Sequence, residues 1–374
     1  MKNTPYPHFR QASFEDYSQI AALESRHGLG KRNYEQWSYV WTKNPAYQLV
    51  RDDWPIGWVL EDKNKQIVGS LGNIPVLYEL GGKRIIAASG RAWVVEPRYR
   101  GYAPRLILPS LDQDSAELYI TTTPNFEGLC AIGGLGALRV PVGAWDRKTC
   151  WVTNYRGVLS HWLDARTHLN SSATRWLSYP VAALLFLREK MAESALRCGR
   201  DGFALQFGTT FDDRFDRFWE ELKCQNPHLL LAVRTHEVLD WHFALAREQG
   251  RLWVWTATQD AKLIAYCICL KLEDPLSAIS RVALIDFQAL DGNVTLLLPI
   301  VSACLDKCRR EGIHFLENLG LAFAETGINE VAPYNRPMHW WRYFYKARDK
   351  KLAEALSTPQ AWAPSLYDGD SSIL

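Results

Sequence analysis

The chain has 374 residues, enough for two ordinary domains at roughly 100–200 residues each. Its 47% hydrophobic and 22% charged residues exclude wholesale disorder. Lys and Arg number 43 against 41 Asp and Glu, a net charge of +2 that lacks the basic excess of a nucleic-acid binder, so no nucleic-acid partner is expected.

Residues 1–10 carry Pro5, Pro7 and His8 but no apolar run of leader length, which makes cytoplasmic residence the expectation. Residues 32–39 predict a helix with Trp37 and Tyr39 two apart, followed by an extended run at 58–60, a polar turn at 61–66 and a second extended run at 67–69. Residues 84–88 and 91–95 also read as extended, 104–112 as a helix, 117–121 as a strand and 125–134 as a helix entered through Pro124. The apolar stretch 176–187, broken by Ser178 and Pro180, falls short of the roughly 20 residues a membrane span needs. It reads as an amphipathic connector, with no transmembrane span, and leaves peripheral membrane contact open.

The plan then repeats. Trp241 and Phe243 form a second pair of aromatics two apart, 204 residues after Trp37, and extended runs follow at 253–255 and 263–265 across a turn at 258–262. A strand at 280–287, a helix at 295–312 and a strand at 314–318 complete the second half. An offset this long implies a duplicated domain, not a short-period solenoid. Strands and helices alternating after an antiparallel start imply an α/β fold whose mixed sheets are flanked by helices.

Eight cysteines spread through the chain read as reduced thiols. Cys267 with Cys269 and Cys304 with Cys308 have a spacing that invites zinc, but their apolar flanks favour buried thiols, so no metal is expected.

The most informative stretch is Val94-Val95-Glu96-Pro97-Arg98-Tyr99-Arg100-Gly101-Tyr102-Ala103-Pro104-Arg105. A strand ends at Pro97, a turn rich in Arg and Gly follows, and a helix opens at Pro104, whose missing N–H costs nothing in a first turn. Free amides at a helix start, with the dipole and flanking arginines, suit a pyrophosphate. The turn resembles the acyl-CoA loop of the GCN5-related N-acetyltransferase (GNAT) superfamily, V-x-P-x-x-R-G-x-G-x-G/A, through Val95, Pro97, Arg100 and Gly101. Asn125 and Gly133 to Ala137 look like that family's next helix and turn.

The resemblance implies two GNAT-like domains, each a mixed sheet flanked by helices: 1–160 binding acyl-CoA, a helical connector at 161–204, a degenerate copy at 205–348 and a tail at 349–374. It also implies that the fourth strand splays from the fifth, that Trp93, Val94 and Val95 line the thioester, and that Arg100, Gly101, Tyr102, Ala103, Pro104 and Arg105 hold the pyrophosphate, with Asn125 beside them. Acetyl-CoA or another acyl-CoA would be the donor. Ala103 and Arg105 depart from the family's small residues, Pro109 interrupts the helix, and Ile132 falls where the family often has an acidic tyrosine.

Amide formation needs a proton acceptor, and Glu96, at the end of its strand, and Asp286, inside an apolar strand, are the candidate catalytic carboxylates. The aromatic-basic stretch 334–345 and the Tyr367-Asp368-Gly369-Asp370 run resemble acyltransferase-like proteins of polysaccharide biosynthesis, which implies an amine acceptor on a saccharide. The competing expectation is a non-catalytic protein that keeps the fold and binds a glycan or partner.

Overall fold

The computed structural model describes residues 6–122, 126–141, 147–166, 202–273, 279–319, 334–337, 343–370 and 372–373. The first half supplies β1 (His8–Gln11), β2 (Gly57–Glu61), β3 (Ile67–Leu80), β4 (Lys83–Val95), β5 (Leu118–Thr121), β6 (Leu138–Arg139) and β7 (Arg147–Val152). The second supplies β8 (Ala204–Gly208), β9 (Leu231–Ala232), β10 (Leu252–Gln259), β11 (Lys262–Glu273), β12 (Ser280–Ala289), β13 (Phe315–Leu319), β14 (Tyr334–Pro337) and β15 (Phe344–Ala347).

These strands form two mixed sheets. One runs β1-β2-β3-β4-β5-β15-β6, with β9 also paired to β3, and the other runs β14-β7-β13-β12-β11-β10-β8. In each, one parallel pair, β4 with β5 or β12 with β13, stands among antiparallel neighbours. The helices that carry the paired aromatics are built alike. Tyr34–Thr42 starts at Asn33, whose side chain accepts from the Gln36 amide, and His236–Glu248 starts at Thr235, whose hydroxyl accepts from the Val238 amide.

The sheets do not follow the halves of the chain. β7 lies between β13 and β14 in the second sheet, and β15 lies between β5 and β6 in the first. Neither 1–160 nor 205–348 therefore closes its own sheet. The aromatic stretch 334–345 is likewise divided, β14 going to one sheet and the start of β15 to the other, while 338–342 lie outside the described residues. Most of the expected connector, residues 167–201, lies outside them too.

The described residues of 349–374, expected as a tail, pack into the molecule. Trp362, Leu366, Tyr367 and Ile373 join a core cluster that also holds Trp37 and Trp41 from the first half and Phe215 and Trp219 from the second. This apolar cluster therefore draws residues from both halves of the chain. Cys267, Cys269, Cys304 and Cys308 are buried in a second cluster with Trp151 and Ile300. Their thiols form a chain, with Cys269 Sγ 3.9 Å from both Cys267 Sγ and Cys304 Sγ, and burial pushes Cys304 up to about 11.

Among the described residues, no helix is long and apolar enough to cross a membrane.

Candidate functional site

The site is shaped by the way β4 leaves β5. Ala87, Ala88 and Ser89 pair in parallel with Leu118, Tyr119 and Ile120, and β4 then runs on to Val95 with no further β5 partner. On its other edge β4 stays bound to β3, but Ala92 and Trp93 together oppose the single residue Leu71. This bulge puts Ala92 in the left-handed region, at φ 51°. The two expected extended runs are thus one strand kinked at Ala92, and β4 and β5 diverge as the resemblance implies.

Beyond the bulge, Val94 packs into the core cluster of the helices Tyr17–Arg26 and Tyr34–Thr42, whereas Trp93 and Val95 pack on the other face with Leu106 and Ile107. Alternation along a strand produces this division. The Trp93 indole N–H is buried with no hydrogen-bond partner among the described residues.

The turn after β4 is wound as a short 3-10 helix, Pro97–Tyr102, that leads into the helix Pro104–Leu111. Its amides are partly committed: Tyr99 N–H donates to Glu96, Ala103 N–H to Arg100 and Leu106 N–H to Ala103. It therefore offers a ligand fewer amides than the sequence implied. What it does offer is charge and space. Arg98, Arg100 and Gly101 are exposed, and a Cβ on Gly101 would meet nothing within 4 Å. Arg105 does not plug the turn, because its guanidinium lies 4.7 Å over the Tyr6 ring and 5.3 Å from that of Phe9. Tyr102 meets Tyr6 edge to face at 5.2 Å. Asn125 lies outside the described residues, and Ile132 is buried in the apolar cluster.

The two candidate carboxylates part company. Glu96 stays beside the turn, where it accepts from Arg26 Nε and Nη2 at 3.2 and 2.9 Å and lies 3.8 Å from His27. It ties the helix Tyr17–Arg26 to the end of β4. Asp286 sits in the second sheet, opposite Ile268. It accepts from Arg234 Nε and Nη2 at 2.8 and 3.1 Å, from the Tyr266 hydroxyl at 3.1 Å and from Gln288 Nε2 at 3.1 Å. Burial pushes its carboxyl up, but the charge and hydrogen bonds of Arg234 outweigh this and hold it below the ordinary carboxylate value. Asp286 thus holds four donors inside the second sheet, while Glu96 stands beside the turn of the first.

Sequence reasoning missed the groups on the core side of the bulge. Glu24, 5% exposed, and Arg91, 7% exposed, line a small cavity of about 20 Å³ together with Ser70, Trp37, Trp41 and Ala92. Burial pushes the Glu24 carboxyl up against the opposing charges of Arg32 and Arg91. Burial, with help from Arg32, brings Arg91 down to about 10. Glu24 belongs to an ordinary amphipathic helix, and only the fold reveals what it faces.

The overall arrangement, with its splayed parallel pair beside a bulge, basic turn at a helix start and second mixed sheet, is similar in fold to solved N-acyltransferase structures. Among solved structures, Saccharomyces cerevisiae N-myristoyltransferase with bound myristoyl-CoA is similar at TM-score 0.56 and 11% identity, over 94% of this chain and 81% of that one. A GCN5-related N-acetyltransferase from Anabaena variabilis ATCC 29413 is similar at TM-score 0.54 and 13% identity, over 91% and 72%. One from Kribbella flavida is similar at 0.54 and 12%, over 95% and 74%. No protein-family model and no curated protein sequence matches the chain.

Proposed function

We propose that the protein transfers an acyl group from an acyl-CoA to an amine. The observation that carries this reading is the divergence of β4 from β5 after Ser89, which leaves that edge of Gly90 to Val95 without a strand partner among the described residues, at the foot of a basic turn. A pantetheine arm in that opening would place its thioester against Trp93, Val94 and Val95. The pyrophosphate would meet Arg98 and Arg100 across the open face of Gly101, held more by charge than by an amide cradle. Transfer is direct, from thioester to amine, with no covalent enzyme intermediate. The yeast structures with bound myristoyl-CoA support an acyl-CoA donor, and acetyl-CoA is our proposed donor. An amino sugar is the acceptor we would try first.

Calorimetry tests the donor site. Acetyl-CoA and myristoyl-CoA are titrated into the wild type and into a variant carrying R100A and G101L. Binding of one thioester, weakened about tenfold or more in the variant, is the expected result. Equal affinity for both proteins removes the turn from the site.

The committed amides of Tyr99, Ala103 and Leu106 favour a second reading, a binding protein that keeps the fold without the chemistry. Thermal stabilisation by saccharides but by neither thioester would select it.

A further inference from the structure

We propose that Asp368 and Tyr78 are positioning residues for the donor site: together they seat Gly369 against the fork where β4 and β5 part, and the charge on Asp368 governs how firmly. This rests on the acyltransferase reading above.

The fork is not tied by its own hydroxyls. Ser89 Oγ on β4 and Thr122 Oγ1 just beyond β5 are buried with no hydrogen-bond partner among the described residues. Gly369 packs directly on them, since a Cβ at that position would stand 3.2 Å from Thr122 and 3.4 Å from Ser89 Oγ. In a close-packed interior, a shift of Gly369 is felt by both strands at the point where they separate.

One phenol sets the seat of Gly369. Tyr78, near the end of β3 and 1% exposed, accepts from the Gly369 N–H at 3.3 Å and donates its own O–H to Asp368 Oδ1 at 3.2 Å. Asp368 Oδ2 accepts from the Ser365 N–H at 2.7 Å, so the same carboxylate closes the turn that delivers Gly369. The Tyr343 hydroxyl lies 3.4 Å from that of Tyr78. An ionised Asp368 polarises the Tyr78 hydroxyl and strengthens the bond its oxygen accepts from Gly369. A protonated Asp368 donates to Tyr78 instead, the phenol O–H turns toward Tyr343, and that polarisation is lost.

The surroundings make Asp368 the group that changes charge near neutral pH. Burial, with help from Asp286, brings its carboxyl up to about 6 against the pull of Arg234, Ser365 and Tyr78. Arg234, just before the helix His236–Glu248, and Asp286, on β12, face it as an ion pair that stays charged. Burial pushes the phenols of Tyr78, Tyr343 and Tyr367 up, so all three keep their protons. The seat is therefore firm above about pH 6 and loosens below it. By linkage, a donor that prefers the firm seat draws a proton off Asp368 as it binds.

Calorimetric titration of acetyl-CoA at about pH 7.5 and about pH 5, with a further pair of runs near pH 6 in two buffers of different ionisation enthalpy, tests this. In the wild type we expect affinity about fivefold or more weaker at the lower pH, and proton release on binding near pH 6. D368N is of the same size but does not titrate, so its affinity stays near the low-pH value of the wild type and that proton is missing. The ligand's own phosphates titrate alike in both proteins and cancel in the comparison. If D368N does not fold, Y78F takes its place: without the hydroxyl that links Asp368 to Gly369, it shows the same loss of pH dependence. A pH profile and proton release equal to those of the wild type in the variant overturn the inference and leave the acyltransferase reading intact. Failure of the wild type to bind acetyl-CoA brings down the reading itself, and the inference with it.

Discussion

Arg91 Nη1 donates to the carbonyl of Ile373, 282 residues further along the chain, so the strand that diverges from β5 is fastened to the C-terminal segment. Close by, Gly369 sits so tightly that an added Cβ would stand 3.2 Å from Thr122 and 3.4 Å from Ser89 Oγ, the point where β4 and β5 part. Its φ of 65° independently disfavours a side chain. The mouth of the opening is thus shaped by residues that arrive last in the sequence. Replacing Gly369 with Val should lower the melting temperature by several degrees and weaken acetyl-CoA binding. Full retention of both would show that the segment does not shape the opening.

Breaking the Arg234–Asp286 pair leaves an uncompensated charge in the core, with side chains 1% and 0% exposed. Such a loss costs about 3–5 kcal/mol. D286N should shift the urea midpoint accordingly, while acetyl-CoA affinity at the first sheet stays unchanged once the protein is folded. Because the folded carboxyl titrates below its ordinary value, its stabilisation is present above about pH 4 and is lost as pH falls through the folded value.

His242 gives a second acid limb at a higher pH. Burial, opposed by Asp286 and aided by Arg91, brings the imidazole down to about 3, and its Nε2 lies 2.6 Å from Ser372 Oγ. Between about pH 6.5 and 3 the unfolded chain binds a proton that the folded one refuses. Stability should therefore fall by about 1.4 kcal/mol per pH unit on acidification from this residue alone. Denaturant titrations between pH 7 and 5 check the slope, and H242F should flatten it. A His242 signal that titrates near 6 in the folded protein would refute the assignment.

Thiol labelling reads the burial of the cysteines. Cys130 and Cys224 are exposed, whereas Cys267, Cys269, Cys304 and Cys308 are buried, with their thiols pushed up by burial. Iodoacetamide followed by peptide mass mapping should modify the first two within minutes, and the buried four only in denaturant. Rapid labelling of Cys269 in the native protein would contradict the packing around it.

Local pattern made much of the fold legible. The runs around Trp58, Trp253 and Val282 alternate or cluster as strands do, and the paired aromatics at Trp37 and Trp241 mark their helices. The turn after Val95 was legible because its Pro, Arg and Gly sit at informative spacings. What stayed hidden is non-local. Nothing near Arg147 or Phe344 states which sheet they join, since pairing across some 200 residues leaves no local mark. Glu24 reads as one polar position of an amphipathic helix, and it lines a cavity with Ala92, where an alanine gives no warning of positive φ. Asp286 stood out as an acid in an apolar strand, but its partner Arg234 lies 52 residues away and is supplied only by the tertiary fold.

The reciprocal placement of β7 and β15 means that a cut through the middle of the chain leaves each sheet short of a strand, so neither half can complete its own sheet by itself.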